Sequence, residues 1–410
     1  MKVVTVGTGM ASADFVQQLR TEGFDGEIVM ISNEPYAPYS PCVIPFYLAG
    51  DPLESVFWKG QDFYQRQQVT PLLGHRVVEI DRDQRLVRTE EGASESYDRL
   101  FYAAGSRSWC PQPDWLETAG VFGFKTLTDM EAIDRYIRQQ NIQRAVVFGG
   151  GFIGVDAALA LHHRGIEVTI VHRNNRLLSQ MTDVEGGQFA TERLATKAGL
   201  DVRLRTTVDA LTVDAGQLRG VTLSDGTTLD TAMLIVTTGV TPNSAPLTGA
   251  DDGVSVSAEL LSEAGIYAAG DVALTRHLVS DVPGLYATYP NAQQQARVAA
   301  RHLVHGTGHY DGSLNTNVLQ KHIDFPIISV GVFEGEPVTW RQGDLFRRAY
   351  LQEGRINGYI LIGDTRNAGH IHHLYVTREA VARNIAEILA DRRGVSHYRN
   401  LMQLQTPVTA

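Results

Sequence analysis

The stretch that decides the fold is AVVFGGGFIG, residues 145–154. Its apolar half predicts a buried strand, and its glycines follow at the spacing of a nucleotide-binding turn that opens a helix. The first glycine permits the tight turn, the second lets the backbone approach a pyrophosphate, and the third lets helix and strand pack closely. Free N–H groups at the helix start attract phosphate. The expected cofactor contacts are Gly149, Gly151, Phe152, Ile153 and Gly154.

A second copy of this pattern opens the chain. Residues 3–6, VVTV, run into Gly7 and Gly9, and Ser12 stands where a third glycine is usual. Serine is small enough to keep the helix close to the strand. The two turns start 142 residues apart (149 minus 7), which indicates duplication of a domain-sized nucleotide-binding unit. The expected contacts of this copy are Gly7, Gly9, Met10, Ala11 and Ser12.

The alternation of strand and helix continues along the chain and predicts an α/β fold with parallel sheet. The residue pattern predicts strands at 27–31, 77–81, 86–89, 327–330 and 359–362, and helices at 11–20 and from the second turn to about residue 164. A final amphipathic helix is predicted at residues 378–391.

The composition and net charge of the chain argue against some classes of function. The 410 residues carry 36 Lys and Arg against 46 Asp and Glu, a net charge of −10, and 43% are apolar, which is ordinary for a globular protein. An acidic chain is a poor partner for nucleic acid. No apolar run reaches the roughly 18 residues of a transmembrane helix, and the N-terminus lacks the features of a signal peptide. We therefore expect a soluble cytoplasmic protein without nucleic-acid or membrane partners.

The chain has two cysteines, Cys42 and Cys110. Two thiols rule out a disulfide scaffold, a four-cysteine zinc ribbon and an internal iron–sulfur cluster. His370, His372 and His373 lie close together in the sequence, but no carboxylate or cysteine stands at ligand spacing, so they indicate a loop beside a bound cofactor or at an interface. No metal site is predicted.

The residue that ends the second strand of each copy bears on cofactor choice. Glu34 ends that strand in the first copy, where a carboxylate accepts the ribose hydroxyls of an adenosine. His172 holds the corresponding position in the second copy and is followed by Arg173 and Arg176. A carboxylate there would repel a 2′-phosphate, and the arginines could pair with one or stay solvated. NAD and NADP both stay open.

In their order, these motifs resemble those of the FAD-dependent pyridine nucleotide-disulfide oxidoreductase superfamily over nearly the whole chain. The similar segments are residues 7–13, 102–105, 149–154, 236–243, 265–271 and 291–296. The resemblance implies two Rossmann-like domains, one for FAD and one for NAD(P), and a C-terminal α+β domain. It places the FAD domain at 1–113 and 246–315, the NAD(P) domain at 114–245, and a C-terminal interface domain at 316–410.

The resemblance also implies further cofactor contacts. It implies that Asp271 bonds the ribityl chain of the flavin, and that Asp156 is the family's acid near the nicotinamide, with a shorter reach than the usual glutamate. The remaining implied contacts are Ala104 and Gly105 in the turn of the FAD domain, Gly239 in the matching turn of the NAD(P) unit, and Gly270 in the second FAD motif.

One branch of the family uses a single cysteine. Residues 41–48, PCVIPFYL, resemble the corresponding segment of NADH oxidases, NADH peroxidases and coenzyme A-disulfide reductases, which would make Cys42 a catalytic thiol beside the flavin. The alternative is that Cys42 is a small packed side chain. Met10 stands where such enzymes tend to have an acid–base histidine, and the usual flavin-contacting lysine of disulfide reductases has no clear counterpart.

A second branch contains the NAD(P)H modules of nitrite reductases and the rubredoxin reductases, which pass single electrons to an iron–sulfur or haem partner. Segments 7–11, 171–172, 177–183 and 351–364 resemble it, and we favour it. Without cluster ligands in this chain, the redox partner is another chain, so we expect an oligomer or a multi-subunit complex. A diaphorase subunit of a 2-oxoacid dehydrogenase of the phenylglyoxylate type fits. A non-catalytic electron-transfer subunit, inert without its complex, is the third hypothesis.

Overall fold

The computed structural model describes residues 1–381 and 384–391. The strands are β1 (Lys2–Val6), β2 (Glu27–Ser32), β3 (Thr70–Leu73), β4 (Val77–Asp81), β5 (Leu86–Thr89), β6 (Ser94–Ser96), β7 (Arg99–Tyr102), β8 (Ser106–Ser108), β9 (Val121–Phe122), β10 (Arg144–Phe148), β11 (Glu167–His172), β12 (Asp201–Leu204), β13 (Val208–Asp214), β14 (Gln217–Leu223), β15 (Thr228–Asp230), β16 (Leu234–Val236), β17 (Val240–Pro242), β18 (Val254–Ser255), β19 (Leu261–Glu263), β20 (Ile266–Ala268), β21 (Ala273–Arg276), β22 (Pro283–Leu285), β23 (Thr316–Leu319), β24 (Ile327–Gly331), β25 (Glu336–Gln342), β26 (Leu345–Gln352) and β27 (Arg355–Ile362).

The α-helices are α1 (Met10–Thr21), α2 (Ile44–Ala49), α3 (Phe63–Arg66), α4 (Leu127–Gln140), α5 (Phe152–His163), α6 (Val184–Thr196), α7 (Ala245–Thr248), α8 (Tyr289–His305), α9 (Ala368–Thr377) and α10 (Ile385–Ala390). Short 3₁₀ helices occur at Leu53–Val56, Pro113–Glu117 and Gly270–Val272. Across the described residues, no helix combines the length and the apolar character needed to cross a bilayer. The predicted strands at 77–81 and 86–89 are confirmed as β4 and β5.

The chain forms two compact units. The first unit comprises Met1–Ile142 and Val236–Leu314, and the second comprises Gln143–Ile235 and the described residues from Asn315 onward. Each unit contains one of the two glycine turns. The four domain boundaries drawn from the sequence stay predictions.

The first unit is built on a six-stranded sheet in the order β19-β20-β7-β1-β2-β3. The central strand β1 is parallel to both β2 and β7. Its side chains alternate between two buried clusters, so Val3 packs with Phe15 of α1 on one face and Val4 packs with Leu100 on the other. A strand that is apolar on both faces is typical of a parallel sheet with both sides covered. Helices α1 and α8 lie against each other beside this sheet.

The second unit repeats the arrangement and adds a second sheet. Strands β10, β11 and β12 are parallel, and the order is β12-β11-β10-β16. Helix α5 packs on β10 and β11. The chain from Asn315 adds an antiparallel sheet in the order β23-β24-β27-β26-β25, which contacts α5 through β23 and α6 through β26 and β27. This sheet is antiparallel throughout, unlike the parallel pairing of β10, β11 and β12.

The predicted helix at 378–391 is confirmed at Ile385–Ala390 and wrong at residues 378–381. Helix α9 ends before Arg378, which adopts a left-handed conformation with φ +59°. The N–H of Val381 then donates to the carbonyl of Gly354 at 2.8 Å, so this segment bonds to a strand end instead of to itself. Helix α10 begins only at Ile385 and ends at Ala390, and residues 382–383 lie outside the described part. The apolar spacing was real, but a tertiary hydrogen bond overrode it.

Candidate cofactor-binding sites

The first glycine turn lies at the carboxyl end of β1. Gly7 has φ +93°, and a Cβ there would lie 2.3 Å from the carbonyl oxygen of Ala103. Its N–H donates to the carbonyl of Ile31 at 2.8 Å, which ties the turn to the end of β2. Only glycine fits this position, because both the backbone angle and the neighbouring carbonyl exclude a side chain. The predicted turn residues Ala104 and Gly105 follow β7 at the same edge of the sheet.

The backbone beyond Gly7 leaves room for a ligand. Gly9 is the N-cap of α1 in an extended conformation, and a Cβ there would meet no atom within 4 Å. No side chain caps the helix. Met10, Ala11 and Ser12 are buried in the first turn, and the Ser12 hydroxyl has no hydrogen-bond partner within the described residues. Open space, uncapped N–H groups and a buried unpaired hydroxyl at a helix N-terminus suit a pyrophosphate.

Glu34 lies just after β2, beside that helix N-terminus. The Tyr39 hydroxyl donates to one carboxylate oxygen at 2.8 Å, and the Thr128 hydroxyl donates to the other at 3.3 Å. Tyr39 also accepts the N–H of Leu127, the first residue of α4, at 3.0 Å. Burial raises the pKa of Glu34, and the hydrogen bonds from Tyr39 and Thr128 oppose that rise. The carboxylate is held in one orientation, as a ribose-binding acid must be.

Asp271 is the centre of the second predicted flavin contact. Its carboxylate accepts from Ser106 Oγ and from Lys125 Nζ, each at 2.8 Å. Burial opposes the charge of Asp271, but the Lys125 ammonium and these hydrogen bonds hold the pKa of the carboxyl below its ordinary value. The N–H of Gly270 donates to Gln295 Oε1 at 2.8 Å, which fixes the turn against α8. An ionised carboxylate is therefore kept ready to accept hydroxyl donors.

The start of α8 adds an unpaired polar group in the same unit. Thr288 is the N-cap, but its hydroxyl does not cap the helix, and it is buried with no partner in the part of the chain that the structure describes. Pro290 follows in the first turn and has no N–H to donate. Residues 291–296, one of the segments that resemble the family, lie in this helix. Together with Ser12, Thr288 is a buried donor that a bound polar ligand could satisfy.

The second glycine turn has the same construction in the second unit. Gly149 has φ +125°, and its N–H donates to the carbonyl of Val171 at 2.9 Å, as Gly7 does to Ile31. Gly151 is the extended N-cap of α5, and a Cβ there would again meet nothing within 4 Å. Phe152 and Ile153 form the first turn of α5, and the buried Gly154 lies inside it. This repeat supports the predicted duplication.

The side chain of His172 supports the second glycine turn through a hydrogen bond. Its Nδ1 accepts the N–H of Gly150 at 3.0 Å, and its Nε2 lies 3.3 Å from Ser179 Oγ. Burial, reinforced by the charges of Arg173 and Arg176, lowers the pKa of His172 to about 4. The imidazole is neutral at pH 7 and acts as a support for the loop. It is not a cation for a 2′-phosphate.

The two arginines predicted beside it differ in role. Arg176 donates to the backbone carbonyls of Asp183, Ser179 and Thr182, so it braces the loop. Arg173 is exposed directly after β11. The choice between NAD and NADP stays open.

The pH dependence of stability tests the role of His172. The folded pKa of about 4 lies below the ordinary value of 6.5, so the neutral side chain stabilises the fold above pH 6.5 and this stabilisation is lost as the pH falls toward 4. Between pH 7 and pH 5 we expect the free energy of unfolding to fall by about 2 kcal/mol from this group. In the variant H172N this part of the pH dependence should vanish, as denaturant unfolding would measure. The exposed His309, changed to asparagine, is the control. Equal pH slopes for wild type and H172N would contradict the assignment.

Asp156 lies on α5 and is 4% exposed. Its Oδ2 accepts from Lys321 Nζ at 2.6 Å. Burial raises the pKa of Asp156, and the charge of Lys321 opposes that rise.

Gly239 lies after β16 with φ +149°, and its carbonyl accepts the N–H of Trp109 at 2.9 Å. The turn around Gly239 leads into β17, which pairs with β8 in the first unit.

The two cysteines have different surroundings. Cys42 is exposed in the segment before α2. Cys110 is 6% exposed, its thiol donates to the carbonyl of Gln112 at 3.0 Å, and burial raises its pKa. Near Cys42, burial together with the charges of Asp14 and Cys42 raises the pKa of Tyr289 to about 12.

The three C-terminal histidines lie on α9. His372 Nδ1 lies 3.1 Å from the Tyr359 hydroxyl, and His373 lies 3.4 Å from Glu379. Among residues 1–381 and 384–391, no group of three or more His, Cys, Asp or Glu side chains is placed to hold a metal ion.

Sequence reasoning missed four polar residues of these sites: Tyr39, Ser106, Lys125 and Lys321. Ser106 directly follows Gly105, so the turn itself was a usable signal. Lys125 and Asp271 are separated by 146 residues, and Lys321 and Asp156 by 165, so no local spacing could have paired them.

Two glycine turns at the carboxyl ends of parallel strands, each opening a helix, are typical of proteins that bind dinucleotides. Residues 1–296 match the model of the pyridine nucleotide-disulphide oxidoreductase family, and the chain belongs to this family. It binds FAD and NAD(P)H and is an NAD(P)H-dependent flavin oxidoreductase.

Two relatives and one solved structure illustrate what this chain is similar to. The chain is 29% identical over 380 residues to a ferredoxin–NAD(P)⁺ reductase of Sphingomonas sp., covering 89% of this chain and 90% of the relative. It is 26% identical over 383 residues to the electron transfer subunit of the assimilatory nitrate reductase of Bacillus subtilis, where it spans 89% of its own length but 48% of the relative. Among solved structures, the covalent putidaredoxin reductase–putidaredoxin complex is similar with a TM-score of 0.85 at 27% identity, covering 95% of this chain and 98% of that one.

Proposed function

We propose that this chain oxidises NAD(P)H and passes the electrons one at a time to a separate iron–sulfur protein. The single observation that carries the proposal is the state of the two thiols. A dithiol store beside the flavin needs a second reactive thiol, but Cys110 is buried, bonded to Gln112 and kept protonated by its raised pKa. Electrons that do not stay on the cofactor therefore go either to the single thiol of Cys42 or out of the chain, and we propose the second route.

The residues of the first unit would hold FAD. Gly7 and Gly9 let the backbone approach the pyrophosphate, and Glu34 accepts the ribose hydroxyls. Asp271, kept ionised by Lys125, accepts hydroxyls of the ribityl chain. The bound flavin supplies the conversion between hydride transfer and single-electron transfer. The protein contributes orientation and a preorganised set of donors and acceptors.

The residues of the second unit would hold NAD(P)H. The turn from Gly149 to Gly154 and the start of α5 receive the pyrophosphate, and His172 keeps that turn in shape through the Gly150 N–H. Arg173 is available to a 2′-phosphate if the cofactor is NADPH.

The relatives support an iron–sulfur partner. One is by name a ferredoxin reductase, one is by name an electron transfer subunit, and one reductase was crystallised with its putidaredoxin partner. We therefore propose that the chain works as the NAD(P)H-oxidising member of a larger redox system in the cytoplasm. A diaphorase subunit of a 2-oxoacid dehydrogenase of the phenylglyoxylate type is one assembly that fits.

The exposed position of Cys42 favours one alternative, a single-cysteine oxidase or coenzyme A-disulfide reductase. Two observations argue against this alternative. Met10, where such enzymes have a histidine, is buried and accepts the indole N–H of Trp58 at 3.1 Å, so no acid–base group stands there. The usual flavin-contacting lysine of disulfide reductases also has no clear counterpart in the sequence.

The variant C42S separates the two mechanisms. We expect it to reduce a [2Fe–2S] ferredoxin with NAD(P)H at a rate within about twofold of wild type, because the thiol is not on the electron path. Stopped-flow or steady-state assays with ferredoxin, coenzyme A disulfide and peroxide as acceptors would measure this, with C110S as the matched control. A loss of tenfold or more with ferredoxin, or a Cys42-dependent turnover of disulfide, would overturn the proposal.

A further inference from the structure

The loop that follows β11 is bonded directly to the second glycine turn. Residues 173–183 form this loop, which joins β11 to α6. The N–H of Leu178 donates to the carbonyl of Gly150 at 2.7 Å. The hydroxyl of Ser179 lies 3.3 Å from Nε2 of His172, whose Nδ1 accepts the N–H of Gly150. Both backbone polar groups of Gly150 are therefore held by the loop or by a side chain that the loop contacts.

The same loop is packed closely against the turn. Leu177 and Leu178 are fully buried, and Leu178 is left-handed with φ +54°. The hydroxyl of Thr182 and the N–H of Met181 each donate to the carbonyl of Leu178 at 2.9 Å. A Cβ on Gly150 would lie only 2.5 Å from Leu177 Cδ2. Because closely packed interiors transmit displacements, a loop that opened would also release the turn.

The end of the loop is clamped by a strand of the C-terminal sheet. Asp183 is the N-cap of α6, and its Oδ1 accepts the N–H of Gly186 at 2.7 Å. Its Oδ2 accepts the hydroxyl of Tyr350 at 2.6 Å and pairs with the guanidinium of Arg348, both on β26. The side chains of Arg348 and Asp183 are 12% and 9% exposed, so solvent screens this ion pair little.

One arginine connects the clamped end of the loop to its middle. The guanidinium of Arg176 donates to three carbonyls within the loop, those of Ser179, Thr182 and Asp183. A continuous set of contacts therefore runs from β26 through Asp183 and Arg176 to the residues that hold Gly150. All of these residues belong to the second unit.

We propose that Arg348 and Tyr350 are positioning residues, which act through Asp183 to keep the loop at 173–183 closed on the second glycine turn. This inference rests on the proposed NAD(P)H site at residues 149–154. The backbone of that turn receives the pyrophosphate, so the turn must have its shape before the ligand arrives. The C-terminal sheet thereby sets the affinity for the adenosine diphosphate half that NAD and NADP share.

Binding measurements on the FAD-loaded protein test this without turnover. Calorimetry would use NAD⁺ and ADP-ribose, together with NADP⁺ and the 2′-phosphate of ADP-ribose. In R348M we expect the affinity for all probes that bind the wild type to fall by the same factor, about tenfold, since the apparent affinity falls with the fraction of closed loop. D183N should match R348M, although asparagine can still cap α6. Y350F, which loses one hydroxyl, should show about a threefold loss and keeps the test open if R348M does not fold.

Hydrogen exchange gives a readout at the loop itself. In R348M without dinucleotide, the amides of residues 173–183 should exchange at least about tenfold faster than in wild type, while the rest of the second unit keeps its protection. Saturating ADP-ribose should restore the slow exchange. Steady-state dye reduction should place the defect in the KM for NAD(P)H, with kcat within about twofold of wild type.

Lys197 supplies a matched control. It pairs with Asp344, so it joins the same helix α6 to the turn before β26, but at the C-terminal end of the helix, away from the loop. K197M should leave the affinity for every probe and the exchange of residues 173–183 unchanged. Melting curves of all variants would show whether each one folds.

Several results would overturn the inference. Unchanged affinity in both R348M and D183N would remove the role of the clamp, and an equal loss in K197M would make it general support by the sheet. Weaker binding of NAD⁺ with unchanged ADP-ribose, or faster exchange throughout the second unit, would also contradict it. If the wild-type protein bound no probe, the NAD(P)H site itself would be wrong. The expected losses in a protein that fails to reduce ferredoxin would uphold the clamp and reject the proposed partner.

Discussion

Replacing Gly9 with alanine is expected to leave the fold intact and to weaken FAD binding by about 10- to 100-fold. An alanine Cβ at this extended position would meet no protein atom within 4 Å, so the free energy of unfolding of the apoprotein should change by no more than about 1 kcal/mol. The same methyl group would occupy the space that a pyrophosphate needs, and overpacking of this kind costs about 1–3 kcal/mol. Flavin absorbance of the purified protein and FAD titration of the apoprotein would measure the effect.

Gly7 gives the contrasting case for that experiment. Its φ of +93° and the carbonyl of Ala103 at 2.3 Å from a Cβ mean that Gly7→Ala should destabilise the protein with or without FAD. If Gly9→Ala retained FAD with wild-type affinity, the first glycine turn would not be the FAD site.

Replacing Gly151 with alanine is expected to spare FAD and to raise the KM for NAD(P)H by about 10- to 100-fold. Gly151 is the extended N-cap of α5 and has the same open space around it as Gly9 has at α1. The expected loss again comes from a methyl group placed against the pyrophosphate. Dye reduction at varied NADH and NADPH concentrations would give the KM, and the flavin spectrum would report FAD.

The two alanine variants serve as controls for each other. Each should lose one cofactor and keep the other. A Gly151→Ala protein that lost FAD, or that kept an unchanged KM for both NADH and NADPH, would contradict the assignment of the two turns.

The α/β fold could be predicted from local patterns because the strands before the two glycine turns, β1 and β10, are short and mostly buried. The glycine turns were readable from sequence, since the φ of Gly7 and the close approach of Ala103 leave no other residue possible there. The helix predicted at 378–391 was wrong at residues 378–381, because the apolar spacing could not show that the Val381 N–H donates to the carbonyl of Gly354. Periodicity reports which face is buried, and it does not report which tertiary hydrogen bond interrupts an element.

The candidate sites were predicted in outline only. Glu34 was predicted from its position at the end of a strand, and Asp271 was predicted from the resemblance of residues 265–271 to the family. Their partners could not be predicted. Lys125 reaches Asp271 and Lys321 reaches Asp156 only because distant segments fold back on the sheet. The Lys125 ammonium helps to hold the pKa of Asp271 below its ordinary value, and the Lys321 ammonium opposes the rise that burial causes in the pKa of Asp156.

The most direct test of the central claim is a single turnover without oxygen. One equivalent of NAD(P)H would be mixed with the FAD-loaded protein, and then an excess of oxidised [2Fe–2S] ferredoxin would be added while flavin and ferredoxin absorbance are followed. We predict that NAD(P)H bleaches the flavin and that two ferredoxin molecules are then reduced per FAD, in wild type and in C42S alike. A ferredoxin that stays oxidised beside a reduced flavin, with electrons released instead to a disulfide or peroxide through Cys42, would contradict the account.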